Sequence, residues 1–78
     1  MTNSRHTSRY RRLLKALREA RKSAKITQGT VASHFGAHAS FISKIESGER
    51  RVDVVELAEL CQIYGVKLSA FIKQIGLE

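Results

Sequence analysis

The stretch TQGTVASHFGAHASFISKIESG, Thr27 to Gly48, decides how this chain folds. It holds two short runs of helical spacing with a glycine between them. Thr27 suits a helix N-cap, because its side-chain oxygen accepts a first-turn N–H that has no partner within the helix. Behind it Val31, Ala32 and Phe35 point to one side, and Gly36 stops the run by accepting the left-handed φ of a helix end. A further helix is expected from about Ala39, with Ile42 and Ile45 three apart, and Ser47-Gly48 ends it.

A short helix, a glycine corner and a second short helix are what a helix-turn-helix requires. Ala32 sits where two steeply crossing helices need a small side chain, and Gly36 follows at the corner. Val31, Phe35, Ile42 and Ile45 supply the apolar wedge between the helices. Ala39, Ser40, Ser43, Lys44 and Ser47 are left on polar or solvent-facing positions. Small hydroxyl side chains and one lysine suit a helix pressed against base edges and phosphates.

Working outward, residues 1–8 have almost no apolar content and read as a flexible basic N-terminal arm, leaving 9–78 as the folded domain. From Arg9, Tyr10, Leu13, Leu14, Leu17 and Ala20 recur at helical spacing, and the helix exits through the cations of 21–25. Beyond Gly48, Asp53 with Glu56 three later marks the start of a fourth helix. Val54, Leu57, Cys61 and Tyr64 are expected on its inner face, with Leu60 alongside and Gly65 as its stop. A last short helix carries Leu68, Phe71, Ile72 and Ile75. Five helices and no convincing strand predict an all-α chain.

At 78 residues the chain makes one small domain, near the lower limit for a self-sufficient core, so a partner subunit is a natural supplement. One cysteine permits no internal disulfide and no thiolate zinc site, which fits a reducing cytoplasm. No segment is apolar enough to span a bilayer. The formal charge of +7 is uneven: residues 1–25 hold nine basic residues and one acid, Glu19, whereas 26–78 are nearly neutral. A nucleic-acid footprint, a membrane-surface helix and a targeting peptide all fit that asymmetry. Composition does not choose among them.

The residues do more. Leu-Arg-Glu-Ala-Arg at 17–21, Ile-Thr-Gln at 26–28, Val-Ala at 31–32 and Phe-Gly at 35–36 form one set. Ser-Phe-Ile-Ser-Lys-Ile-Glu-Ser-Gly-Glu-Arg-Arg at 40–51, Leu-Ala-Glu-Leu-Cys at 57–61 and Tyr-Gly-Val at 64–66 continue it. Together they resemble the Cro/C1-type (XRE) family of bacterial and phage transcription regulators. The resemblance implies a five-helix, lambda-repressor-like DNA-binding domain whose third helix enters the major groove of double-stranded DNA. It implies base contacts from Lys44, Ser40, Ala39, Ser43 and His38, with Lys44 first, to a guanine. Phosphate contacts would come from Gln28, Thr27, Ser47 and Arg50, with Arg51 and Arg9 as further candidates. It also implies a structural ion pair between Arg21 and Glu46.

Two departures bear on the target. Ala39 stands where such regulators often carry Gln or Arg, leaving at most a methyl contact with thymine. His38 replaces the usual N-cap serine and caps poorly. Phe41 reads as a packing residue and Cys61 as a small core hydrophobe. His34 and His38 have Gly36 between them and fall short of a zinc set, so no metal or other cofactor is expected. No catalytic pairing is spaced for chemistry, so no enzyme is expected.

The resulting reading is a cytoplasmic regulator, a repressor or autoregulator, binding a roughly palindromic operator as a homodimer. Its recognition helices would lie about 34 Å apart. The dimer surface is expected around the fifth helix, at Leu68, Phe71, Ile72, Ile75 and Leu77. With no room for a ligand domain, no small-molecule ligand is expected, and neither is a membrane partner. The arm and first helix are expected to add phosphate contacts. The competing class is a protein-binding role on the same fold, an antitoxin or adaptor.

Overall fold

A computed structural model describes residues 7–78, and it is helical throughout. The helices are α1 (Ser8–Ser23), α2 (Gln28–Ser33), α3 (Ala39–Ser47), α4 (Val54–Tyr64) and α5 (Leu68–Gln74). Among the described residues there is no strand, and no helix is long and apolar enough to cross a membrane. The arm expected over 1–8 falls mostly on residues 1–6, which lie outside the described residues. Its last two positions belong to the fold: Thr7 caps α1, its hydroxyl accepting the Tyr10 N–H at 3.1 Å, and Ser8 opens the helix.

Each helix exists because one face of it is apolar at helical spacing. Tyr10, Leu13, Leu14, Ala16 and Leu17 bury the inner face of α1. Against them lie Val31 and Ala32 of α2, Ile42 and Ile45 of α3, and Leu57, Leu60, Cys61 and Tyr64 of α4. Leu17, Val31, Ile42, Ile45, Leu60 and Cys61 are fully buried, so the core sits where α1, α3 and α4 meet. Covering a Leu or Ile of this kind contributes roughly 1.5–3 kcal/mol before conformational entropy is counted. Ala32 is wholly buried at the α2–α3 crossing, where a longer side chain would force the two helices apart.

Helix ends set the corners. After α2 the Ala37 N–H reaches the Ala32 carbonyl and the Gly36 N–H reaches that of Ser33, a paired closure that requires the left-handed φ of 65° at Gly36. The same two bonds close α1, but there the left-handed residue is Lys25, at φ 60°. No sequence signal marks that strained lysine. Gly48 ends α3 at φ 85°, and a Cβ there would meet Leu14 Cδ1 at 3.1 Å, so Leu14 of α1 packs closely over a residue that has no side chain.

Three expectations need correction. Val54 was placed on the inner face of α4, yet it is 69% exposed, as its neighbour Val55 is at 67%. Both occupy the first turn of α4, which projects past the core before Leu57 reaches it. Phe71 and Ile75, expected at a dimer surface, are core residues at 3% and 4% exposure. α5 turns that edge onto the rest of the bundle, so the domain covers it without a partner. Leu68, Ile72 and Leu77 are half-buried against the same core.

Candidate nucleic-acid interface

The outer face of α3 follows from its inner one. Ile42 and Ile45 point into the core, so helical geometry leaves Ala39, Ser40, Lys44 and Ser47 exposed together, with Ser43 half-buried at their edge. His38 is the N-cap residue of α3, exposed, and its imidazole makes no capping hydrogen bond. The serines tie themselves to their own helix: Ser43 Oγ donates to the Ser40 carbonyl at 3.2 Å, and Ser47 Oγ to that of Lys44 at 3.1 Å. Ser47 Oγ also accepts the Glu49 N–H at 3.4 Å. Lys44 Nζ lies 3.9 Å from Glu49 Oε2, but both side chains are more than half exposed, so the pairing is weak and open to exchange for a stronger anion.

Behind this face stands a polar joint. The Arg21 guanidinium grips the Glu46 carboxylate through Nε at 2.6 Å and Nη2 at 3.2 Å, and its Nη1 donates to the Ile26 carbonyl at 3.0 Å. Gln28 Nε2 donates to Glu46 Oε1 at 3.0 Å. One carboxylate therefore fastens α1, the start of α2 and α3 to one another. The pair is nearly out of solvent, with side chains 12% and 6% exposed. The hydrogen bonds that Arg21 donates to Glu46 raise its pKa further, so the guanidinium stays charged. Tyr64 is pushed up to about 12, mainly by burial and secondly by the Glu46 charge. Gln28 thus braces α3 through its amide. Thr27 caps α2, accepting the Thr30 N–H at 3.1 Å, and remains exposed.

The loop after α3 contains a second joint that sequence reasoning missed. Arg50 Nη1 and Nη2 donate end-on to the Glu56 carboxylate, both at 3.0 Å, while the guanidinium lies 4.7 Å from the centroid of the Phe41 ring. Phe41 in turn packs on Phe35 at 5.3 Å. Glu56 Oε1 also accepts the Asp53 N–H, completing the capping box of α4. Only the capping box was legible from spacing, because the partner of Glu56 depends on where the loop returns. Arg50, expected at a phosphate, thus has its guanidinium engaged within the fold. The Arg51 guanidinium lies 4.7 Å from the centroid of the Tyr10 ring, whose hydroxyl accepts the Val52 N–H at 3.1 Å. Arg9 is exposed on the first turn of α1. Among the described residues, no group of three or more His, Cys, Asp or Glu is placed to hold a metal ion.

A short helix packed across a second one, which presents small polar side chains and a lysine on a braced outer face, defines a helix-turn-helix DNA-binding domain. The chain belongs to the XRE-type helix-turn-helix family. A family described as a helix-turn-helix domain matches residues 9–70. The solved structure of an XRE-family like protein from Pseudomonas syringae pv. tomato str. DC3000 superposes with a TM-score of 0.84. It is 41% identical, over 90% of this chain and 85% of that one. No curated protein matches the chain.

Proposed function

We propose that this protein is a sequence-specific transcriptional regulator, a repressor or autoregulator, that binds a roughly palindromic operator as a homodimer. The observation that carries this reading is the exposed face of α3, Ser40, Lys44 and Ser47, held rigid from behind by the Arg21–Glu46–Gln28 joint. Lys44 reads a base edge after exchanging Glu49 for a guanine oxygen or nitrogen. Ser40 and Ser43 add short contacts, Ala39 touches a thymine methyl, and His38 with Thr27 and Ser47 approaches phosphates. Gln28 acts mainly through the brace.

For the dimer, the exposed apolar pair Val54 and Val55 offers the larger gain on burial, and the half-buried Leu68, Ile72 and Leu77 offer a second seam. Selection of bound fragments from random duplex DNA tests the reading directly. A single enriched motif with two-fold symmetry is the expected result, and Lys44→Ala should relax the preference at one position of each half-site. Enrichment of nothing above background would refute it.

A further inference from the structure

We propose that the outer face of α1 is a separate docking surface for the DNA phosphate backbone, and that it, rather than the helix-turn-helix, supplies most of the electrostatic affinity. This rests on the DNA-binding reading above and locates its charge term. Arg11, Lys15, Arg18 and Lys22 are all exposed and follow one another at intervals of four, three and four, which lines them along one side of the helix. The line is about 17 Å long at 1.5 Å per residue. A single DNA strand presents roughly five phosphates over that axial distance.

Of the cations around the α3 face, Arg21 is held by Glu46 and Arg50 by Glu56, while Lys44 is weakly paired with Glu49. By contrast Lys15, Arg18 and Lys22 make no ion pair among the described residues, and the acid of α1, Glu19, pairs with none of them. A phosphate approaching Lys15, Arg18 or Lys22 therefore meets charge that no protein carboxylate competes for. Side chains that move Leu14 onto Gly48 and Arg21 onto Glu46 define the edge of α1 that packs on α3. The cationic line is rotated away from that edge by roughly 40–120° at 100° per residue. It therefore meets phosphates other than those under α3.

An anionic membrane is the other polyanion that suits a basic helix, and burial argues against it. An interfacial helix must insert an apolar face, but Tyr10, Leu13, Leu14 and Leu17 are at most 8% exposed and form the domain core.

The test compares the full chain with Lys15→Gln/Arg18→Gln/Lys22→Gln, whose exposed substitutions keep helix propensity. Affinity for an operator duplex and for an unrelated duplex is measured from low to high salt. The triple variant should flatten the slope of log K against log salt by about 2–3 on both duplexes. It should weaken binding on the order of a hundredfold at 0.1 M salt and leave the ratio between the duplexes unchanged. The swap Lys15→Arg/Arg18→Lys/Lys22→Arg should restore the slope. An unchanged slope in the triple variant overturns the proposal. So does loss of binding to phosphatidylcholine–phosphatidylglycerol vesicles with duplex affinity intact, which would assign the face to membranes. Failure of the underlying reading looks different, since the unsubstituted chain then binds neither duplex and the proposal falls with it.

Discussion

The Arg21 guanidinium holds the Glu46 carboxylate side-on across the α1–α3 contact, at 2.6 and 3.2 Å, while Gln28 donates a third hydrogen bond to it from the α2 side. A carboxylate so enclosed has no solvent to fall back on. Arg21→Ala leaves it with Gln28 alone, and an orphaned buried charge costs about 3–5 kcal/mol. Denaturant unfolding should show a loss of that order. Arg21→Ala/Glu46→Ala together should lose less than the two single changes added, because neither charge is then stranded. Strict additivity in this cycle would show that the pair is not coupled.

Glu56 is the acid-sensitive joint. The hydrogen bond from Arg50 is the largest cause holding its carboxyl below the ordinary value of 4.5, with burial opposing. A carboxylate depressed in the folded state contributes fully above its unfolded pKa, and the contribution fades as pH falls through the lower folded value. Stability should therefore be insensitive to this group near neutrality and decline below about pH 4.5. Glu56→Gln should lie below the parent at pH 7 and converge with it in acid. Unfolding curves over a pH series check this, and a constant gap at every pH would contradict it.

Two backbone positions call for opposite substitutions. Lys25 sits at φ 60°, where a Cβ is unfavourable, so Lys25→Gly should raise stability by about 0.5–1 kcal/mol. Gly29 lies within α2, where an added Cβ meets nothing nearer than Thr27 Oγ1 at 4.0 Å, so Gly29→Ala should stabilise by a similar ~0.5–1 kcal/mol. Thermal melts of both single variants decide the matter. A lower midpoint for either contradicts the assignment at that residue.

The dimer seam is separable by charge insertion. Val54→Asp and Val55→Asp change solvent-facing positions and should leave the fold intact. Sedimentation at micromolar concentration should show the parent as a dimer and Val54→Asp/Val55→Asp as a monomer. A monomeric parent would refute the dimer, and dissociation by Leu68→Ser instead would move the seam to α5.

Helix number, the glycine corners at Gly36 and Gly48, the capping box at Asp53 and Glu56, and the inward stripe of α1 were all determined by local chemistry. Each follows from spacing and φ preferences within a few residues, which is why the sequence by itself determined an all-α helix-turn-helix chain. Tertiary structure alone decided the fate of long-range partners. Spacing placed Val54 inside and left Phe71 and Ile75 available to a partner, because periodicity reports a helix face but not where the helix starts relative to the core. The pairing of Arg50 with Glu56 was not legible, because that carboxylate lies across a turn whose path depends on the packing of α4. The left-handed Lys25 was invisible because the closure of α1 onto α2 imposes that φ against the residue's own preference.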